Sequence, residues 1–359
     1  MNTQYHCKLL QLSIILLLIS CNNQNSENLE SDLVSENLKG KVKSYTEATY
    51  YAREEFGEII KSKYPKIDEY FKKEFNKYGN IIYKTYYNRS GEEIKKTVNE
   101  YDENQNLIYR YDINTNKNKT TPIEKIKYDE DQNLIERVKF FKSGKIWFKN
   151  LNEYDENGNV VIESKFDSDD NLKKKRIYTY KDKRKIYYIN YDKNGDPTSK
   201  TEYIYDEKGI KILETTKWYS DGDISKDFFD EDGNKIRYIG YYSNGSIRKK
   251  MEFEYDKDGN QTAIIHYDED GTTTKITYEY DENGNEMYKE NNYLGSIIRQ
   301  DYDQYGNLIY YEFNDLDYDD QRIADYKYEY DKHFNWVLQT KTSEVYKPEI
   351  KERTYEYYD

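Results

Sequence analysis

The chain is poor in the residues that most often carry chemistry. Its two cysteines, Cys7 and Cys21, both lie near the N-terminus, so the body beyond them has neither a disulfide nor a thiol nucleophile. Beyond the first residues only His266 and His333 remain, and each reads as a structural or surface histidine. No Gly-x-Ser-x-Gly elbow is present. Four prolines are few for a disordered chain. No apolar run reaches the roughly 20 residues that a bilayer-spanning helix needs. The longest, Leu9 to Ile19, is interrupted by Gln11 and Ser13. No long apolar period of 3.6 stands out, so helix should be scarce.

Acids outnumber bases, 69 to 56, for a net charge of −13. An acidic body lacks the basic face that displaces counterions from nucleic acid, so no nucleic-acid partner is expected. The run Lys173-Lys174-Lys175-Arg176 reads as a solvated strand end. Among so many acids no carboxylate pair stands apart, and no enzyme activity is expected. Asp256-Lys-Asp258-Gly259-Asn260 echoes a calcium loop. A calcium loop of the EF-hand kind needs Gly sixth and Glu twelfth, whereas here Gly is fourth and the twelfth residue is Tyr267. Turn chemistry explains these aspartates, and neither metal nor cofactor is expected.

A mean hydropathy of −1.18 with 35% charged residues would suit a disordered chain, but 44 tyrosines argue against it. Tyr favours strands and buries a large ring while its hydroxyl stays wet. The hexad aromatic-Asp-x-x-Gly-Asn recurs eleven times, led by Phe75, Tyr101, Tyr128, Tyr154, Tyr180, Tyr205, Phe229, Tyr255, Tyr280, Tyr302 and Tyr330. Spacings run from 22 to 28 residues, and Asn76 and Lys181 replace the usual Asp. Weaker turns such as Ser143-Gly144 and Asn244-Gly245 lie between most hexads. Gly supplies the positive φ of a tight turn, and the Asp accepts backbone N–H groups.

Between turns the pattern alternates: Met251, Phe253 and Tyr255 on one face, Lys250, Glu252 and Glu254 on the other. The expectation is therefore an all-β fold, an elongated antiparallel β-meander of hairpin repeats with about 20 strands, as a single coiled or curled sheet with closure as a further option. Tyr203, Tyr205, Phe253, Tyr255, Tyr278 and Tyr280 should fill one face of it. Trp147, Trp218 and Trp336 are few enough to be candidate ligand-contact aromatics.

Two resemblances follow from these residues. Leu18-Ile19-Ser20-Cys21, after a short apolar region, resembles the bacterial lipobox. That resemblance implies a signal peptide over 1–20 and lipidation of Cys21; the composition after it, rich in Asn, Ser and Glu, makes 21–38 the lipidated Cys and a flexible tether, and the hexads make 39–359 the repeat domain. The lipobox resemblance also implies a cell-envelope protein anchored through its lipid. Asn22 is unlike the aspartate that retains some lipoproteins at the inner membrane, so the outer membrane is expected, on either face. The recurring Tyr-Asp-x-x-Gly-Asn resembles the YD repeats of RHS-type bacterial proteins, which build β-rich shells. Here Gly-Asn replaces their usual Gly-Arg, and Asp196-Pro197 is not followed by their self-cleavage signature. The weaker units, such as Phe141-Lys-Ser-Gly-Lys-Ile, also resemble bacterial MORN-variant repeats.

Three functions follow as expectations. The first is a non-enzymatic envelope lipoprotein whose repeats bind a protein or a polysaccharide. The second is an immunity or antitoxin-like partner of a toxin. The third and least favoured is a carbohydrate-active enzyme.

Overall fold

The computed structural model describes residues 31–359 except Glu269, Tyr293, Asp317 and Asp319. The expected signal peptide, the expected lipidation site Cys21 and the first part of the expected tether lie outside the described residues. Among the described residues the architecture is all-β, with 25 strands and one short helix, Asp32–Ser35 (α1). Each strand from β3 (Tyr70–Phe75) to β25 (Glu349–Tyr357) pairs antiparallel with the next. β1 (Val42–Glu55) pairs with β3 on one side and with β25 on the other, while β2 (Glu58–Lys61) extends β1 as a hairpin.

The sheet is thus a closed barrel of 24 strands, which corrects the expectation of an open, elongated coil. Closure removes both exposed sheet edges at once. At about 4.8 Å per strand the wall is on the order of 115 Å round before tilt widens it. Among the described residues each strand makes its close backbone contacts with its ladder neighbours, and the closed wall surrounds an interior.

The hexads form the turns at one rim. At Asp155 the backbone N–H donates to the Asn159 carbonyl at 2.9 Å, and the Gly158 N–H donates to the Asp155 carbonyl at 3.0 Å. The carboxylate accepts the N–H groups of Asn157 and Asn159, both at 2.9 Å, and the Asn159 amide at 3.0 Å. Turns at Asp230, Asp256 and Asp281 repeat the pattern. The fifth position needs positive φ: Gly158 has +78°, and Gln105 and Gln132 adopt +69° and +67° there. The hexad led by Tyr180 departs, closing through Asp182 and Lys183, both at positive φ, between paired Lys181 and Arg184.

These turn carboxylates predict an acid response. The Asn260 side chain holds the Asp256 carboxyl below its ordinary value of 3.8, and Asn285 does the same for Asp281. A lowered folded value contributes stability that is complete above the unfolded value and fades as pH falls through the folded one. Urea midpoints should be level above about pH 5 and drop below about pH 4. Asp256→Asn with Asp281→Asn should make that drop shallower; an unchanged slope would place the acid sensitivity elsewhere.

The barrel's densest packing sits at its seam. Leu38, Val42, Tyr45 and Phe75 form a buried cluster, joined by Leu33, Phe71, Ile81, Tyr355 and Tyr357. Residues 31–38, assigned by composition to the flexible tether, are docked instead. The Leu33 N–H donates to the Gly79 carbonyl at 3.1 Å, and Asp32 accepts the Ile81 N–H at 2.5 Å. The Asn37 amide reaches the Tyr305 carbonyl at 3.0 Å, and Lys39 exchanges two 2.8 Å hydrogen bonds with Asn335. Two apolar anchors, Leu33 and Leu38, suffice to hold a segment that is otherwise polar.

Candidate functional site

Strand alternation sorts the side chains into two faces. The residue before many hexad tyrosines is exposed, as at Lys127, Glu153, Glu254, Glu279 and Glu329. The tyrosines themselves are half-buried, on the face that also carries the docked N-terminal segment and a cavity lined by Tyr128 and Tyr154. The more shielded side of a closed wall is its concave side, which puts this face toward the barrel interior.

The hexad tyrosines build a ladder along it. Tyr101, Tyr154, Tyr180, Tyr205 and Tyr255 donate their hydroxyls to the carbonyls of Ile81, Leu134, Val160, Lys185 and Lys235 at 2.8–2.9 Å. Tyr280, Tyr328 and Tyr355 continue it to Gln261, Leu308 and Trp336. The acceptors lie just outside the regular strand pairing. Between β10 (Val160–Phe166) and β11 (Leu172–Lys181) the register begins at Ile162–Ile177, leaving the Val160 carbonyl for Tyr180. A hydroxyl supplied 19 or 20 residues away satisfies each one. Burial pushes the Tyr101 and Tyr180 hydroxyls up to about 12. Tyr203, Tyr205, Phe253, Tyr255, Tyr278 and Tyr280 all fall on this face, none of them fully buried.

A cavity of about 750 Å³ lies on this face of the wall. It spans β6 (Leu107–Asn114), β7 (Lys119–Tyr128), β8 (Leu134–Phe140), β9 (Ile146–Tyr154), β10 and β11. Its lining includes six cations, Arg110, Arg137, Lys139, Lys165, Lys174 and Arg176, against two carboxylates, Glu124 and Glu163. Glu124 faces Arg137 at 3.5 Å and Arg110 and Lys139 at 3.9 Å. Arg176 is held by Asn190 at 2.8 Å and stacks on Tyr188, 4.7 Å from the ring centre. Arg110 is held by Asn99 at 2.9 Å.

Lys174 and Arg176 belong to the run read as a solvated strand end; both line this cavity. Their signal in the sequence was parity. They alternate in step with Tyr178 and Tyr180, the inward positions of the same strand.

The three tryptophans are not brought together. Trp147 is 53% exposed and lies against Phe141 and Phe148. Trp218 ends β14 (Lys211–Trp218), paired with Ser199. Trp336 is under the Arg353 guanidinium, 3.9 Å from the ring, near the seam. His266 pairs across from Met251, and His333 stacks on Tyr357 at 4.1 Å. Among the described residues no group of three or more His, Cys, Asp or Glu is placed to hold a metal ion.

Residues 255–287 match the RHS Repeat family. No curated protein matches the chain. Among solved structures it is similar to a chain of the Photorhabdus luminescens Tc holotoxin pore, at 10% identity over 76% of this chain and 19% of that one, with a TM-score of 0.36. It therefore spans about a fifth of that chain's length. It is also similar to a porin-like protein from Bacteroides uniformis, at 9% identity over 65% of this chain and 94% of that one, with a TM-score of 0.26. Residues 255–287 thus form an RHS-type repeat, and hexads of the same form recur on both sides of them.

Proposed function

We propose that this chain is a non-catalytic scaffold of the cell envelope, tethered by lipid at Cys21, whose barrel takes a protein or polysaccharide ligand in its lumen. The observation that carries the reading is the inner face. It combines the interior of a closed ring of strands, a ladder of aromatic rings and a concentration of cations. Aromatic rings and fixed charges on a rigid wall are what a recessed binding site requires. The exposed outward residues Glu254, Glu279, Lys327 and Glu329 support anchoring by lipid over insertion of the barrel. A barrel that crosses a bilayer presents an apolar band to it.

Fractionation tests the anchor. The wild-type chain should sediment with membranes, and Cys21→Ser should move it to the soluble fraction. A wild-type chain already soluble would contradict the anchor. For binding, the immobilised chain should retain a component of an envelope extract or a glycan panel, and retention of none would remove the scaffold reading.

A further inference from the structure

The wall from β6 to β11 holds more positive charge than its folding can use. The chain as a whole is −13, yet this cavity has six cations against two carboxylates. Glu124 serves three of the cations and Glu163 pairs with Arg176 at 3.4 Å, so two carboxylates face six cations and cannot neutralise them. Lys165 and Lys174 are direct partners across the β10–β11 ladder and both line the cavity. Like charges placed opposite each other destabilise a sheet. A local cost kept within a repeat marks a position serving something other than stability.

The remaining lining gives the shape of the missing counter-charge. Leu107, Ile126, Leu134 and Val160, with the rings of Tyr128 and Tyr154, supply an apolar and aromatic surface. The amides of Asn106, Asn150 and Asn152 stand among them. Asn150 Oδ1 is buried without a hydrogen-bond partner, and Arg137 Nε meets Glu124 only as an ion pair at 3.5 Å. A bare inorganic anion would use the cations and leave the rest idle. A sugar ring presents C–H faces to aromatic rings and hydroxyls to amides, and an acidic sugar adds the charge.

We propose that this cavity binds an acidic saccharide, with its carboxylate or sulfate groups on Arg137, Lys139, Lys165, Lys174 and Arg176 and its ring against Tyr128 or Tyr154. The proposal rests on the scaffold reading and names the ligand class for it. The guanidinium groups of Arg110 and Arg176 are already oriented by Asn99 and Asn190, so little order is lost on binding. The cavity volume lies within the range of small-ligand sites. Low-dielectric walls lined by one sign of charge focus the field on an entering anion.

Calorimetric titration of the full chain with trigalacturonate, a sulfated disaccharide, maltotriose and citrate tests this. At least one of the two acidic sugars should bind, and more weakly as salt rises. The carboxylated and sulfated probes distinguish which acid group the site prefers. Maltotriose and citrate should bind far more weakly. Lys165→Gln and Lys174→Gln should each weaken the acidic sugar about tenfold. The same variants should leave the unliganded unfolding midpoint unchanged or raised, because they remove a like-charge pair. Arg137→Gln should weaken binding similarly.

Maltotriose or citrate binding as tightly as the acidic sugars would overturn the proposal, as would lysine variants of unaltered affinity. Capture of a different envelope component, insensitive to these variants, would remove this inference and leave the scaffold reading intact. Capture of nothing would remove both.

Discussion

Tyr45→Ala should cost about 3–5 kcal/mol of stability, the range for removing a fully buried aromatic side chain. Tyr45 is 1% exposed. Its ring packs against Phe71, Phe75 and Tyr355 with centroids 5.8–6.2 Å apart, and its hydroxyl donates to Glu36 at 2.6 Å. Those partners come from α1's flank, β3 and β25, so one side chain ties together both neighbours of β1 and the docked N-terminal segment. Beside it Arg353 donates to Glu47 at 2.7 Å directly across the seam. Their side chains are 14% and 11% exposed. Leaving one member of such a pair alone should cost about 3 kcal/mol. Denaturant unfolding measures both. A wall tyrosine such as Tyr238, half-buried and away from the seam, is the control. If Tyr45→Ala cost no more than Tyr238→Ala, the seam would not be the point at which the barrel is held.

Alkali should unfold the protein between about pH 10 and 12, the second large effect. The sign follows from the raised folded values. A buried neutral hydroxyl contributes stability that is complete below the unfolded value of 10 and lost as pH rises through the folded value of about 12 at Tyr101 and Tyr180. Ionising a ladder tyrosine also removes the donor that satisfies a strand carbonyl. Because the ladder repeats along the wall, many such losses fall in one pH window. Ultraviolet absorbance should show tyrosinate forming late and together with the loss of β-sheet circular dichroism. Tyr180→Phe should lower stability by about 1 kcal/mol at neutral pH and ease the alkaline transition. Tyrosines that titrate smoothly at 10 in a folded barrel would contradict the ladder.

The repeat was legible because its physics is local. Asp and Gly at fixed offsets determine the turns, and period-two alternation gives the strands between them, so about 20 strands expected compares with 24 in the ring. Closure was not legible. It depends on tilt and twist summed over every strand pair, and no single residue encodes it. Tyr355 to Asp359 look in the sequence like another half-repeat. Their partners are Val42 to Tyr45, more than 300 residues away.

The docking of residues 31–38 escaped composition for a different reason. Leu33 and Leu38 are isolated apolar residues in a polar segment, and their value appears only where the seam cluster receives them. The cationic cavity was half legible. Lys174 and Arg176 share the parity of inward tyrosines, but Arg137 and Lys165 come from other strands and meet them only through the register.

Distance measurement across the seam tests the closed barrel most directly. Spin labels at Lys43 and Thr354, both exposed, would sit on adjacent strands in a chain whose Cys7 and Cys21 are serine. Closure predicts one narrow distance distribution within about 20 Å, two labels on strands about 4.8 Å apart. A broad distribution centred near 100 Å, the width of an open sheet of this many strands, would contradict it.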